Sequence, residues 1–234
     1  MARKIEESAV KIYKPEILIC PKCNNQLQYC YTISNKVVQF TSGKFFRIKN
    51  LGYTCSNCLD KKVYFSQTAN KLSFKGYTYS SKVICMIDYY KNKGIGREGI
   101  CDLLANKGIE ISDRNVDVIH KKFLSFYNHD YDLIIKDAYN KMLDEYNEIR
   151  IAIDLITVNE IYYIILYDYF TGEKLAIWKT NDLYDGRLEE IMSRYINMDY
   201  NISVIATIRN INRFVPFLKS LTKEGTKFIA FSKF

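Results

Sequence analysis

Two Cys-x-x-Cys pairs, Cys20-Pro21-Lys22-Cys23 and Cys55-Ser56-Asn57-Cys58, carry the residue types and spacing best suited to chemistry in this chain. Thiolates at that spacing converge on one metal ion, and four of them fill a tetrahedral shell. The reading is a structural site for one Zn2+ bound by Cys20, Cys23, Cys55 and Cys58. Residues 24–54, between the pairs, outrun the roughly 15–20 residues of the commonest four-cysteine pattern. Strand-like runs inside that stretch would still bring the pairs together, which makes the expected unit a zinc ribbon. Cys30, Cys85 and Cys101 stand singly in apolar segments and read as buried free thiols.

Holding four thiols at one point requires a small sheet. Residues 26–33, 36–41 and 44–49 are rich in Tyr, Val, Phe and Ile and are separated by Ser34-Asn35 and Ser42-Gly43. Three short strands with tight turns are expected there, followed by a fourth over 62–66. A sheet of fewer than about 80 residues needs a staple, and the metal would supply it. The zinc ribbon is therefore assigned to residues 1–80.

Charge is distributed unevenly around this unit. Residues 1–82 hold 14 Lys and Arg against 4 Asp and Glu, a formal +10, while 83–150 come to −2 and 151–234 to zero. Four thiolates around Zn2+ would add about −2 to the first segment and leave it strongly basic, suited to a polyanion such as nucleic acid. Lys44, Arg47 and Lys49 are its candidate DNA contacts; a solvated basic face with no partner is the plainer alternative. With 48% hydrophobic and 15% aromatic residues the chain can build packed cores for one large domain or two to three small ones. No apolar run approaches the roughly 20 residues of a bilayer span, and the N-terminus has no apolar signal core, so the expectation is a cytosolic or nucleoid-associated protein without membrane contact.

From Ser81 the apolar period changes to that of helices. Val83, Ile84, Ile87 and Tyr90 mark a first helix ending at Lys93-Gly94; Ile100, Leu103 and Leu104 mark a second over 96–106. Ser112 caps a third carrying Val116, Val118, Ile119, Phe123 and Phe126. Three helices with a short turn before the third match a helix-turn-helix, assigned with the following helix to residues 81–148. The third helix is expected to expose Arg114, Asn115, His120, Lys121 and Lys122, and Arg and Asn near its start are the types that read guanine and adenine edges. Asp113 and Asp117 would repel phosphate, and an ordinary three-helix bundle fits the pattern equally well. Residues 131–148 form a linking helix, with Leu133, Ile134, Tyr139, Met142 and Leu143 as its apolar positions.

Beyond residue 149 strands at 149–156, 160–169 and 174–179 precede a helix over 185–196, a strand over 202–208, a helix over 211–222 and a strand over 227–231. The order β-β-β-α-β-α-β makes an α/β domain with a mixed sheet, so the whole chain is an α+β multi-domain protein.

Three elements in this order resemble a family. They are the paired cysteines, the segment Gly94-Ile95-Gly96-Arg97-Glu98-Gly99-Ile100-Cys101-Asp102-Leu103-Leu104 leading into Ile111-Ser112-Asp113-Arg114-Asn115-Val116, and the strand Ile151-Ala152-Ile153-Asp154. Together they resemble the transposases of bacterial insertion sequences that carry an N-terminal zinc ribbon, a helix-turn-helix and a ribonuclease-H-like core of the DDE type. The resemblance implies DNA recombination at a transposable element, with three carboxylates holding two divalent ions at a phosphodiester.

Asp154 takes the place of the first carboxylate. The second would end the fourth strand, where such cores read approximately Val-Ile-Ala-Thr-Asp-Gly and this chain reads Val204-Ile205-Ala206-Thr207-Ile208-Arg209. The third would lie beyond the fifth strand, and the sequence stops at Phe234, so the core of residues 149–234 is expected to be truncated. One acid cannot hold two Mg2+ ions, so Asp154 is expected to be vestigial and the core inactive, with Asp168, Asp182, Asp185 or Asp199 as conceivable substitutes.

Three functions compete at this point. The first is a transposase-derived protein that binds double-stranded DNA through ribbon and helix-turn-helix and uses the core as a scaffold or homodimer surface. The second is an active metal-dependent transposase or nuclease using Asp154 and Mg2+. The third is a zinc-ribbon module that docks another protein.

Overall fold

Apolar and polar residues alternate on both sides of residues 40–44, and the chain there folds back into a long hairpin. In the computed structural model, which describes residues 9–59, 61–125, 131–181, 186–196, 200–208 and 215–231, its arms are β2 (Gln28–Gln39) and β3 (Phe45–Thr54). β1 (Val10–Tyr13) runs parallel to β3 and β4 (Val63–Tyr64) antiparallel to it, giving a four-stranded mixed sheet of order β1-β3-β2 with β4 on β3.

The two strands expected at 26–33 and 36–41 are one. Ser34-Asn35 does not turn the chain, because register shifts after Tyr29 and Thr32 absorb extra residues of β2 while pairing to β3 continues. β1 and a short helix, α1 (Gln67–Lys71), carry too few residues for a periodic signal and were not expected. One face of the sheet buries Tyr13, Val38 and Ile48 against Ala69 of α1, with Phe40, Phe46 and Leu72 around them.

Helices α2 (Ser81–Asn92), α3 (Arg97–Ala105) and α4 (Asp113–Leu124) follow. Ser80 caps α2 by accepting from the Val83 N–H, and Gly94 with φ 76° ends it, an αL geometry that glycine adopts at little cost. Val83, Ile84, Ile87, Ile100, Leu104, Val116, Ile119 and Phe123 are buried as their helical spacing requires. Val118 is 55% exposed, since two residues after Val116 and one before Ile119 it leaves their stripe; Phe126 lies outside the described residues. In α5 (Tyr131–Tyr146) the inward stripe is Ile135, Tyr139 and Met142, spaced i, i+4, i+7, which leaves Leu133 and Leu143 exposed.

The chain divides into two compact units, residues 1–120 and 121–234. In the second, β5 (Ile149–Val158), β6 (Ile161–Asp168) and β7 (Lys174–Thr180) form an antiparallel meander. After α6 (Arg187–Ile196), β8 (Ile202–Ile208) lies parallel to β5; after α7 (Val215–Leu221), β9 (Lys227–Phe231) lies parallel to β8. The sheet order is β7-β6-β5-β8-β9, and the helix–strand sequence is the expected one. Two mixed sheets and seven helices among the described residues make this an α+β protein. No described helix is long and apolar enough to cross a membrane.

Candidate metal centre and surrounding surfaces

Register in the hairpin explains how distant cysteines meet. Gln28 pairs with Thr54, so the segment entering β2 and the segment leaving β3 lie at the same end of the sheet. Before β2 the chain makes a tight knuckle: the Cys20 N–H donates to the Asn25 carbonyl at 2.8 Å, the Asn24 N–H to the Cys20 carbonyl at 3.0 Å, and Asn24 takes φ 58°. Asn tolerates that αL geometry better than most residues, so the knuckle is written into the local sequence.

The sulfurs of Cys20, Cys23, Cys55 and Cys58 all lie within 4.8 Å of one another. Three separations are 3.7 Å (Cys20 to Cys58), 3.4 Å (Cys23 to Cys55) and 3.6 Å (Cys23 to Cys58). Four sulfurs placed tetrahedrally about 2.3 Å from a common centre stand about 3.8 Å apart, so the quartet fits a four-thiolate metal site. Cys20 and Cys55 are buried with Leu27, with Tyr53 and Tyr64 packed around them; Cys23 is exposed.

Proton sharing in the cluster pulls the thiols apart. The Asn25 backbone N–H, and then the Cys55 thiol, bring the Cys23 thiol down to about 6, while the hydrogen bond with Cys23, followed by burial, pushes Cys58 up to about 12. A divalent cation at the centre would remove that competition by holding all four as thiolates. Asn25 also donates from Nδ2 to Cys23 Sγ at 3.4 Å, a supporting contact that spacing alone did not single out. Of the other cysteines Cys85 is buried as expected, whereas Cys30 and Cys101 are only partly so.

On α4, Arg114, Asn115, Lys121 and Lys122 are exposed, as expected. His120 is not available to a groove: its Nε2 lies 3.2 Å from Oδ1 of the fully buried Asp88 on α2. The acids that would oppose phosphate are engaged. Lys91 Nζ meets Asp117 Oδ1 at 2.6 Å, and Arg97 reaches Asp113 at 3.4 Å and Asp117 at 3.7 Å. Neither pairing is legible in the sequence, because each cation belongs to a different helix from its partner.

Lys44 is exposed in the turn between β2 and β3, and Arg47 and Lys49 alternate on the sheet face opposite Ile48 and its core. The seven candidate nucleic-acid residues therefore lie in two groups, one on the hairpin and one along α4.

Asp154 sits fully buried on the central strand β5, paired with Ile165 on one side and Ile208 on the other. Asp168 cannot join it. Asp168 pairs with Ile151, an odd number of residues from Asp154, so the two acids are on opposite faces of the sheet. Its carboxylate instead accepts from the N–H groups of Phe170 at 2.7 Å and Thr171 at 3.1 Å, closing the turn after β6. Asp182, Asp185 and Asp199 lie outside the described residues. Among the described residues the cysteine quartet is the one cluster of three or more metal-binding side chains. No protein-family model and no curated protein matches this chain.

Proposed function

We propose that this is a transposase-derived, catalytically inactive protein that binds double-stranded DNA. In this reading residues 1–80 are a zinc ribbon, with one Zn2+ on Cys20, Cys23, Cys55 and Cys58, and residues 81–148 hold a helix-turn-helix whose reading helix is α4. Arg114 and Asn115 meet base edges, and Lys121, Lys122, Lys44, Arg47 and Lys49 neutralise phosphates. The observation that carries it is the state of α4. Asp113 and Asp117 are paired with Arg97 and Lys91, and Arg114, Asn115, Lys121 and Lys122 are exposed, which gives the helix a cationic exposed face.

Residues 149–234 are read as a ribonuclease-H-like core reduced to a scaffold. Support comes from a mixed sheet with Asp154 on its middle strand and Ile208, not an acid, in register beside it. A single carboxylate provides too few oxygen ligands for paired Mg2+ ions, so no DNA cleavage is expected.

Titrating the metal-loaded chain with a duplex over a salt series tests the reading. Binding should weaken steeply as salt rises, because phosphate contacts release counterions. Failure to bind at low salt, or an affinity indifferent to salt, would sink it.

A further inference from the structure

The sheet of the first unit has two faces with different tasks. Ile48, Phe46 and Asn50 of β3 point to the core side, so Arg47, Lys49, Leu51 and Tyr53 alternate onto the other face. Pairing brings Val10 and Val37 beside Arg47, Ile12 and Asn35 beside Lys49, Thr32 beside Leu51, and Tyr29 beside Tyr53. The face thus runs from a cationic end to an aromatic end, about 20 Å along one strand at about 3.4 Å per residue.

Three features of this face point to one kind of occupant. Between Glu16 and Asp60 the sequence has five basic residues and no acid, so nothing on the sheet repels a phosphate chain. Tyr29 is 56% exposed and held edge-on to Tyr53 at 5.9 Å between ring centres, leaving a ring face open. Tyr53 in turn packs on Cys20, Leu27 and Cys55, so the cysteine cluster braces the aromatic end.

A base paired inside a duplex cannot lay its face on a tyrosine; an unpaired base can. We infer that this sheet face binds single-stranded DNA, with a base stacked on Tyr29 and the backbone running past Lys49 and Arg47. The inference rests on the nucleic-acid part of the proposed function and adds a single-strand site that α4 does not supply.

The experiment is fluorescence anisotropy of the full, metal-loaded chain with a labelled oligo(dT) strand, an oligo(rU) strand and a duplex of equal length. The wild type should bind oligo(dT) at low salt. Tyr29→Ala should weaken that binding about tenfold, and Tyr29→Phe should stay within about twofold. Arg47→Gln with Lys49→Gln should lower the salt slope by about 1.4. Duplex affinity should be the same in Tyr29→Ala as in the wild type, which excludes a general loss of fold.

Equal oligo(dT) affinities for wild type and Tyr29→Ala would overturn the inference, as would tighter binding of oligo(rU). If the wild type binds duplex but not oligo(dT), the inference falls and the duplex reading stands. If it binds neither, both fall.

Discussion

Gly43 and Gly108 meet backbone to backbone: a Cβ on Gly43 would lie 2.8 Å from the Gly108 carbonyl oxygen. Gly43 is in the hairpin turn and Gly108 in the turn between α3 and α4, and the buried Gln39 locks them by donating from Nε2 to both carbonyls, at 3.1 and 3.0 Å. Both glycines have positive φ, 76° and 72°, which side-chain-bearing residues adopt at a cost of about 1–2 kcal/mol. Gly43→Ala therefore incurs that cost plus a clash with main chain. Gly94→Ala, with φ 76° and open space around it, incurs the first cost alone. Urea denaturation should show Gly43→Ala as the less stable of the two by about 1 kcal/mol or more; equal losses would mean the two turns part freely.

Removing the metal tests the cysteine quartet directly. Four-thiolate Zn2+ sites contribute on the order of 10 kcal/mol to folding, more than a sheet of this size supplies otherwise. Freshly purified protein should hold about one equivalent of zinc. Cys20→Ser and Cys55→Ser should lose it and unfold the first sheet as seen by circular dichroism. Cys30→Ser should keep both metal and fold, since Cys30 is outside the cluster.

How far the sequence could be read follows from how local each signal is. The core strands at 149–158, 161–168 and 202–208 were legible because β-branched and aromatic residues dominate short runs bounded by Asn, Gly or Asp. The cysteine quartet was legible because its spacing encodes its geometry. Ser34-Asn35 misled, since turn residues inside a strand look the same as a turn until register shifts are known. The outward Leu133 and the inward Ile135 show that an apolar helix position does not name its face when apolar residues lie on both. His120 reads as exposed until its partner Asp88 is known, and Asp88 lies two helices earlier on α2.

The α4 surface separates contacts that read bases from contacts that neutralise charge. Lys121→Gln and Lys122→Gln should each reduce the duplex salt slope by about 0.9 and weaken all sequences alike. Arg114→Ala or Asn115→Ala should cost about 1–3 kcal/mol on a preferred site and little elsewhere. Anisotropy against specific and scrambled duplexes measures both. Identical losses on every sequence for Arg114→Ala would reduce α4 to a phosphate contact.

Acid should loosen the joint between α2 and α4. The hydrogen bond from Lys91, outweighing the opposite effect of burial, holds the Asp117 carboxyl below the usual carboxylate range. A carboxyl depressed in the folded state lends stability above its unfolded value, near 4, and withdraws it as pH falls through the folded value. The Tm drop between pH 5 and pH 3 should therefore be smaller in Asp117→Asn than in the wild type. Superimposable pH profiles would mean the Lys91 contact is without thermodynamic weight, as many exposed pairs are.

Asp154 and Ile208 offer the sharpest test of an inactive core. They are direct partners on neighbouring parallel strands, so their backbones lie about 4.8 Å apart and an acid at each position could share an ion. In the wild type Asp154 is buried on β5 between Ile165 and Ile208, and Asp154→Asn, which keeps the side chain's size, is the reference without a carboxylate. Ile208→Asp should lower stability by about 2–5 kcal/mol, because two like charges then adjoin in the sheet. Mn2+ should return part of that loss by binding the folded state alone, and the return should vanish in the double variant Ile208→Asp with Asp154→Asn. Calorimetry with and without Mn2+ reads all three. If instead the wild type is itself stabilised by Mn2+, and Asp154→Asn abolishes the effect, a second acid already serves the site and the core retains the means for metal-dependent chemistry.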